Sequence, residues 1–528
     1  MDILRSQLED MLPVLEDLVQ KCDFLALDME FTGLHSLAYG KQPSLFDSAS
    51  DWYRKARLSV KKFSVCQIGL SLFYKQDSNR FISHSFNFYL FPATFARIDS
   101  EFSVQASSIA FLSKFGFDFN KFLKEGIPYM NQEQEKRFLQ DYREGNWRVR
   151  STLEKDSLKK AIEEVTCWVT SAAEGGTMIL RDLTGFEVFN VQLVLRQALP
   201  NVWTVPMGNK VFVRKVSPRQ RWQMERQDLD PCRKERILIS VLGFTIIFRF
   251  IVAAKKPLVG HNMLMDLLHL YDKFYQSLPE SYEEFKKNLH TLFPFIIDTK
   301  VVTRAVWKEL QFPRTGTLMD VYGLLNSNQN PAQPSSPLIE HAPDCRKYVE
   351  EAHPHEAAYD AFVCGSVLVK LGHLLLVTHQ MDTEDPERPF SRYMDVISEH
   401  INQVNLIRAR VSRINFSGED ICIRRPPALL VCVQGWPGVN EEQLYREFKS
   451  VCTLDVKRLG KDRFLLLVTN FKGMRAIRRT YKGHAHLRMC EYSYWKHSPL
   501  VNGILQVCGV VLAWSAVTFT LCTTPFWT

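Results

Sequence analysis

The sequence predicts an α/β protein built on a mixed β-sheet. An amphipathic helix over residues 3–20 is followed by the apolar run 24–31, which has the length and composition of a buried strand. Two further strand-like runs follow at residues 63–73 and 84–91, and the second alternates between polar and apolar residues. Residues 257–266 then combine a short strand, a tight turn and a helix. Strands and helices that follow one another in this way indicate a sheet with helices on its faces.

The end of the first apolar run carries two acids one residue apart, Asp28 and Glu30. Because residues i and i+2 of a strand point to the same face, the two carboxylates project together. Carboxylates that repel each other at the end of a buried strand are tolerated mainly when a cation lies between them. Ligands that are all oxygen favour Mg²⁺ or Mn²⁺ over zinc. The alternative is a strand that runs out into solvent, with the acids only marking its edge.

Two more acids lie at the start of apolar helices. Asp266 is surrounded by leucine and methionine and therefore needs a partner, and it is expected to share a helical face with Asn262, four residues earlier. Asp360 follows His355 by five residues, so the histidine cannot share its helical face and must lie on the turn before the helix. Four carboxylates of this kind can hold two metal ions for phosphodiester hydrolysis, and a nearby histidine can take the proton of the attacking water.

Composition bounds the class of protein. The chain has 528 residues, 46% hydrophobic and 23% charged, which is typical of a globular protein with several domains. A net charge of +8 suits a polyanionic partner. The 12 cysteines form no CxxC pair, so we expect neither a zinc site nor a disulfide framework. The N-terminus is acidic and amphipathic, which predicts that there is no secretory signal.

The character of the chain changes at residues 145–235, which we interpret as a small inserted domain. Helices are expected around 158–172 and up to 197, followed by a basic, strand-like run over 210–222 that includes Phe212 and Trp222. Basic and aromatic residues together suit a nucleic-acid strand, and the alternative is a solvated strand face. A buried helix is expected at 237–254.

Two segments of the remaining central region are predicted to be connections. Residues 326–344 are rich in Asn, Pro, Gln and Ser, which predicts a loop. Residues 381–390 are predicted to be a polar connector.

The region from residue 429 to 492 predicts the order β-α-β-β-α-β, which is that of an RNA-recognition module. The run 461–468, which stands at the place of that module's aromatic motif, keeps little of the aromatic pattern. Trp436 is either a stacking ring or a packed loop residue.

Residues 500–522 carry no charge and are long enough for one membrane span. Lys496 and His497 precede this stretch, which predicts a tail anchor with the other domains in the cytosol. The alternative is a buried C-terminal helix. Because no basic residue follows the span, we expect the endoplasmic reticulum membrane, with the outer mitochondrial membrane as the alternative.

Three motifs together resemble those of the DEDDh exonucleases and, more narrowly, those of the poly(A)-specific ribonuclease family. They are Leu27-Asp28-Met29-Glu30-Phe31-Thr32-Gly33, Gly260-His261-Asn262-Met263-Leu264-Met265-Asp266 and His355-Glu356-Ala357-Ala358-Tyr359-Asp360-Ala361. Residues 117–120, 126–131 and 293–300 also resemble that family. The resemblance covers nearly the whole chain.

The resemblance implies an RNase H-like DEDD exonuclease core that removes nucleotides from RNA 3′ ends and releases 5′-monophosphates. It implies that the four acids hold two Mg²⁺ ions, with Mn²⁺ possible, that His355 is the general base, and that Phe31 and Asn262 contact the substrate. The insert would take the place of the family's Arg-x-x-x-His nucleic-acid-binding domain, and the C-terminal unit that of its RNA-recognition domain. Both depart from the family's pattern.

The C-terminal anchor resembles that of a membrane-bound branch of the family, which trims pre-piRNA 3′ ends in the animal germ line. The expected partners are single-stranded RNA 3′ ends, the organelle membrane, a protein adaptor of the Tudor or PIWI type, and a second copy of the chain as a homodimer. Alternative functions are a membrane-bound poly(A)-shortening deadenylase, a non-catalytic membrane-tethered RNA-binding adaptor, and a DNA exonuclease. The predicted domains are 1–144 and 236–385 for the exonuclease core, 145–235 for the insert, 400–497 for the degenerate RNA-recognition-like domain and 500–522 for the transmembrane helix.

Overall fold

The structure is a computed structural model. It describes residues 1–36, 42–77, 79–95, 98–144, 152–181, 183, 187–207, 210–225, 234–310, 316–332, 335–345, 347–379, 390–422 and 425–523. The chain divides into two compact units. The first comprises Met1–Gln42, Tyr53–Leu406 and Arg413–Asp420, and the second comprises Pro43–Trp52, Ile407–Ser412 and the residues from Ile421 onward.

The N-terminal part of the chain supplies most of the central sheet of the first unit. Its elements are β1 (Asp2–Ile3), α1 (Leu8–Lys21), β2 (Phe24–Phe31), α2 (Ala49–Lys62), β3 (Val65–Asp77), β4 (Arg80–Tyr89), β5 (Thr94–Phe95), β6 (Ile98–Asp99), α3 (Ala106–Lys114), α4 (Phe119–Glu125) and α5 (Gln132–Glu144). The predicted first helix starts later than expected because residues 2–3 pair in parallel with β4. The Met1 amino group also donates a hydrogen bond to the Ser85 carbonyl at 2.8 Å, which holds this end in the sheet.

The inserted region forms its own small α/β layer. Its elements are α6 (Thr152–Ser171), β7 (Thr177–Leu180), α7 (Glu187–Ala198), β8 (Val202–Met207), β9 (Lys210–Lys215) and α8 (Pro218–Glu225). The sheet order is β7-β9-β8, and both helices α6 and α7 contribute apolar residues to one buried cluster. The basic run over 210–222 was predicted to be strand-like throughout, which is wrong for its second half. Pro218 starts helix α8 there, since proline is well tolerated in a first helical turn.

The chain then returns to the central sheet. The elements are α9 (Lys234–Leu242), α10 (Phe244–Ala254), β10 (Leu258–Gly260), α11 (Leu264–Leu270), α12 (Tyr282–Leu292), β11 (Ile296–Asp298), α13 (Thr299–Leu310), α14 (Leu318–Leu325), β12 (Leu338–His341), α15 (Lys347–Glu350), α16 (Ala357–Thr378), α17 (Ser391–Val396), β13 (Gln403–Asn405) and β14 (Arg413–Asn415). The helix predicted over 237–254 is two helices. Gly243, with a φ of 51°, separates them, and a Cβ there would lie 2.0 Å from the Pro128 carbonyl oxygen.

The central sheet is mixed, as the sequence predicts. Its order is β1-β4-β3-β2-β10-β11, with β12 paired to β4. Strands β2, β3 and β4 form an antiparallel meander, whereas β10 runs parallel to both β2 and β11. The loop predicted over 326–344 is wrong at β12, which pairs in parallel with Arg80–Ser83. Helix α16 is buried along almost its whole length and packs against β2 and β3.

The second unit contains a four-stranded antiparallel sheet. Its elements are β15 (Leu429–Val433), α18 (Glu441–Phe448), β16 (Leu454–Arg458), β17 (Arg463–Val468), α19 (Phe471–Thr480), β18 (Leu487–Glu491), α20 (Tyr494–His497) and α21 (Pro499–Thr523). The strand order is β16-β17-β15-β18, and the elements from β15 to β18 follow the predicted order β-α-β-β-α-β.

One face of this sheet packs on α18 and α19 around residues such as Val431 and Phe464, and Trp436 packs against that core. Because side chains alternate along a strand, the other face carries aliphatic and thiol side chains, among them Leu430, Cys432 and Leu465.

Among the described residues, two helices are long and apolar enough to cross a membrane, Ala357–Thr378 and Pro499–Thr520. In the first, 89% of the apolar window is buried inside the protein, so it is a core helix. In the second, only 6% is buried. The predicted connector residues 381–389, the turn residues 184–186 and the tail after Thr523 lie outside the described residues.

Candidate metal centre

Asp28 and Glu30 lie in the second half of β2, on the opposite face of the strand from Met29 and Phe31. Met29 and Phe31, which alternate with them, are 5% and 8% exposed. On the neighbouring strand β3, Asp28 pairs with Gly69 and Glu30 with Gln67. This alternation places both carboxylates on the face of the sheet that helix α16 covers.

The start of α16 is fixed on β3 by two features of that strand. Gly69 has no side chain, and a Cβ there would lie 1.9 Å from the backbone of Ala357. Gln67 accepts a hydrogen bond at its Oε1 from the Ala357 N–H at 3.1 Å. Because the helix approaches the strand so closely, Asp360, in the first turn of α16, is brought next to the acids of β2.

His355 lies on the turn before α16, as helical geometry predicts. Its φ is 68°, and its backbone N–H donates to Asp360 Oδ2 at 3.2 Å. Ligand atoms of Glu30, His355 and Asp360 all lie within 4.8 Å of one another, a spacing that can hold a metal ion. The Oδ1 atom of Asp360 is buried and has no hydrogen-bond partner within the described part of the chain.

Asp266 reaches the cluster from the first turn of α11. It is 8% exposed, so the prediction that it is buried is confirmed. The prediction that Asn262 shares its helical face is wrong, because Asn262 has a φ of 59° and lies before the helix begins at Leu264. That left-handed residue turns the chain from β10 into α11.

A fifth carboxylate, Asp298 at the end of β11, is fully buried and holds this turn in place. Its Oδ1 accepts hydrogen bonds from the backbone N–H groups of Asn262 at 2.8 Å and Lys300 at 2.9 Å. Its Oδ2 accepts from the N–H of Asn405 at 2.9 Å. No role was predicted for Asp298, although its position at the end of an apolar strand is the same signal that marked Asp28.

The electrostatics of the four acids reflect burial and mutual repulsion. Burial raises the pKa of Asp28 well above its usual range, and repulsion from Asp360, Asp266 and Glu30 adds to the shift. Burial raises the pKa of Glu30 to about 8, with further repulsion from Asp360 and Asp266. The pKa of Asp266 and that of Asp360 rise to about 7, in both cases chiefly through burial. Negative charge is therefore costly at this site unless a cation neutralises it.

The histidine side of the cluster is open and aromatic. Partial burial lowers the pKa of His355, and the nearby Lys114 ammonium adds to the effect. The rings of Phe111 and Phe115 lie 4.8 and 4.1 Å from the His355 ring and are themselves 41% and 36% exposed. Neither ring was predicted to belong to the site. Phe111 lies in the last turn of α3 and Phe115 caps its end, and their spacing of four residues, which brings both to the same side, was the available signal.

The two predicted substrate contacts lie beside the cluster and are engaged with the protein. Phe31 is buried, and its ring stacks on His269 with centroids 4.3 Å apart. The Asn262 side-chain oxygen accepts a hydrogen bond from Asn405 Nδ2 at 2.6 Å. A role for either in substrate binding stays a prediction.

Comparison with known proteins identifies a family of ribonucleases. A model of the CAF1 family of ribonucleases matches residues 3–368. The chain is 52% identical over 526 residues to a mouse protein named poly(A)-specific ribonuclease PNLDC1, and the match covers 99% of both chains. It is 29% identical over 519 residues to the Bombyx mori pre-piRNA 3′-exonuclease trimmer, and that match covers 94% of both chains. Among solved structures, the Mg²⁺- and Mn²⁺-bound form of S. pombe Pop2p matches with a TM-score of 0.36 and 15% identity, and it covers 76% of this chain and 97% of that one.

The chain therefore belongs to the CAF1 family of ribonucleases. Its mixed sheet is that family's RNase H-like fold, and the protein is a 3′→5′ exoribonuclease of the group that includes poly(A)-specific ribonucleases. The resemblance noted in the sequence is confirmed at this level.

Proposed function

We propose that the protein trims RNA 3′ ends by metal-dependent hydrolysis and releases nucleoside 5′-monophosphates. The observation that carries this proposal is the convergence of four carboxylates, one buried and three partly buried, beside the turn that presents His355. Asp28, Glu30, Asp266 and Asp360 would hold two Mg²⁺ ions, or Mn²⁺ in their place. The residues fit such ions because the donors are all oxygen and because burial, with repulsion between acids at Asp28 and Glu30, raises their pKa values. Asp360 Oδ1 also has no partner among the described residues.

The side chains of the cluster have separate roles in this reaction. When bound, the ions lower the pKa of water and stabilise the charge on the leaving 3′-oxygen. His355 has a lowered pKa, so its ring is neutral at pH 7 and a ring nitrogen can accept the proton of the attacking water. The backbone hydrogen bond from His355 to Asp360 keeps the base next to the ligands.

Phe111 and Phe115 supply a surface for the terminal base. Exposed rings beside a catalytic group allow a base to stack on them, and stacking is tolerant of sequence because every base has a π-face. Such a contact positions a 3′ end of any sequence, which favours trimming of mixed-sequence RNA. Phe31 and Asn262 remain candidate contacts deeper in the site.

The cellular role that we propose is pre-piRNA 3′ trimming in the germ line, on the cytosolic face of a membrane. The Bombyx mori relative carries that activity in its name. Pro499–Thr523 would be the tail anchor, since it is apolar and exposed along nearly its whole length. The endoplasmic reticulum is the favoured membrane and the outer mitochondrial membrane the alternative. A Tudor- or PIWI-type adaptor would deliver the RNA, and a homodimer is expected from the family resemblance.

The test is a trimming assay with the full-length chain in detergent and a 5′-labelled RNA that ends in a 3′-hydroxyl. With Mg²⁺ we expect a ladder that shortens from the 3′ end, and with EDTA or a 2′-O-methylated 3′ end we expect intact RNA. The variant Asp28→Asn should be inactive, whereas Asp10→Asn, on the exposed side of α1, should behave as wild type. Binding without any Mg²⁺-dependent shortening would instead support the adaptor function.

Two RNAs of equal length separate the trimming function from deadenylation. One ends in a mixed sequence and the other in poly(A). Equal rates support general trimming, whereas a strong preference for the adenosine tail would support the membrane-bound deadenylase.

A further inference from the structure

The C-terminal unit has an open cavity beside its apolar helix, and the reaction does not use it. The cavity has a volume of about 710 Å³. One wall is the β16–β17 turn, Leu459–Arg463, and the other is the first two turns of α21, through Pro499, Asn502, Leu505 and Gln506. The first wall therefore carries two basic residues and one acid, and the second combines amide and apolar side chains.

The helix that forms the second wall is firmly joined to the small domain. Ser498 and Val501 are 4% and 8% exposed, whereas Leu505, one turn further, is 60% exposed. Only residues 492–498 separate the last strand from the helix. The start of this segment is tied to the domain, because the Tyr492 N–H donates to the Ala428 carbonyl at 2.8 Å. Its end is held by the burial of Ser498 and Val501. The turn therefore stays beside the point where the helix leaves the domain.

Residues around this point match the headgroup layer of a bilayer. Tyr494 and Trp495 are 53% and 75% exposed, and such rings are enriched where membrane meets water. Lys461 and Arg463 are exposed on the turn, where Asp462 is the one acid among the residues that line the cavity. Basic residues immediately cytosolic of a membrane helix attract anionic lipids.

We propose that this cavity binds the headgroup of an anionic phospholipid in the membrane that α21 anchors. The lipid phosphate would lie against Lys461 and Arg463, with the Asn502 amide as a further donor, and the acyl chains would follow the apolar side of the helix past Leu505. This inference rests on the anchor function proposed above and adds a lipid preference to it. The small domain would then act as a lipid-binding module.

The test is native mass spectrometry of the full-length protein released from detergent micelles. The micelles contain equal amounts of phosphatidylserine and phosphatidylcholine. We expect wild type to retain phosphatidylserine preferentially, and Lys461→Gln/Arg463→Gln to lower its affinity roughly 20-fold to 30-fold, since each basic residue near a membrane surface contributes roughly a fivefold factor. The charge-preserving exchange Lys461→Arg/Arg463→Lys should keep the preference.

A matched control removes the same charge elsewhere in the unit. Lys472 and Arg475 are exposed on α19 and do not line the cavity, so Lys472→Gln/Arg475→Gln should retain the lipid. If this control loses phosphatidylserine to the same extent, the effect depends on net charge and not on the cavity, and the proposal is overturned. Equal retention of both lipids by wild type would overturn it as well, as would displacement of the lipid by millimolar inorganic phosphate, which would make the cavity a site for free phosphate.

Alkaline carbonate extraction of membranes separates this inference from the anchor. If the protein stays in the membrane but shows no lipid preference, the proposed lipid site is wrong and the anchor is retained. If carbonate releases the protein from the membrane, both the anchor and the lipid site are wrong. The trimming assay is unaffected by either result.

Discussion

The larger unit contains two kinds of carboxylate that differ in how their charge is satisfied. Asp298 is fully buried, but its two oxygens accept three backbone N–H groups. Asp266 is buried and Asp28, Glu30 and Asp360 are partly buried. Burial raises the pKa of all four, and repulsion from the other acids adds to the shift at Asp28 and Glu30. Burial alone therefore does not identify a metal ligand. The distinguishing feature is Asp360 Oδ1, which is buried and has no hydrogen-bond partner among the described residues, so that a cation is the missing partner.

The largest expected effect comes from Asp28→Asn. Loss of one ligand should reduce the trimming rate about a thousandfold or more, because a metal's charge stabilisation is worth several kcal/mol and each ~1.4 kcal/mol is tenfold. The metal-free variant should be more heat-stable than the metal-free wild type, since one repelling charge is gone. Single-turnover trimming and thermal unfolding in EDTA measure the two effects. If the Asp28→Asn variant trims RNA at the wild-type rate, Asp28 is not a metal ligand.

Asp298→Asn should act on stability in the opposite direction. An amide NH₂ in place of one oxygen faces a backbone N–H, so at least one buried donor loses its acceptor, which costs about 1–3 kcal/mol. Trimming should fall about a hundredfold through displacement of the turn that leads to Asp266, a size typical of misplaced catalytic groups. Urea unfolding in EDTA measures whether the substitution lowers or raises the free energy of unfolding. A stabilised Asp298→Asn chain would place Asp298 with the metal ligands.

Substitution of Phe115, at the open side of the cluster, should have a smaller effect on trimming. Phe115→Ala should raise the KM for RNA roughly tenfold, because stacking of one base is worth ~1–3 kcal/mol. Phe115→Tyr keeps the ring and should stay close to wild type. A fall in kcat with an unchanged KM would instead assign Phe115 to the support of the His355 ring.

The smallest effect is a pH dependence of stability without metal. The folded pKa values of Glu30, Asp266 and Asp360, at about 8, 7 and 7, lie above their ordinary values of 4.5, 3.8 and 3.8. Groups of this kind contribute stability that is fully present below their unfolded pKa and is lost as pH rises through the folded pKa.

Between pH 5.5 and 8.5 the unfolding midpoint of the chain in EDTA should therefore fall, by roughly 2–3 °C if ~2 kcal/mol is lost from a unit of this size. The gain on adding Mg²⁺ should grow over the same range, because ligands bind metal when deprotonated. The Asp28→Asn chain should show a shallower slope. A flat profile for wild type would contradict the repulsion among the acids.

The parts of the site that the sequence predicts are those with local signals. Asp28, Glu30 and Asp360 each stand at the boundary of an apolar element, and the five-residue step to His355 follows from helical geometry. Asp298 has the same local signal, but its role depends on Asn405, which lies 107 residues later. No local pattern connects residues at that distance.

The fold shows the same limit. Strand β12 lies in a segment whose composition predicts a loop, and it is a strand because β4 offers an edge and Arg80 pairs with Glu340, 260 residues away. The break at Gly243 likewise follows from the approach of Pro128. Long, strongly patterned elements such as α16 and the strands of the C-terminal unit depend less on distant partners, so their positions could be predicted.

The hydrogen bond from Asn405 to Asp298 also sets an order of events during synthesis. The family match ends at residue 368, yet the larger unit continues to Asp420. Asn402 bonds to β11 through its N–H, which donates to the Ile296 carbonyl at 2.7 Å, and through its side-chain oxygen, which accepts from the Ile296 N–H at 2.9 Å. A nascent chain that has emerged only to the end of α16 lacks these contacts. The nuclease would therefore complete its folding late in translation, after the β13–β14 hairpin has been synthesised. A messenger truncated before that hairpin would encode all four acids of the site but not the strand that holds Asp298 and β11.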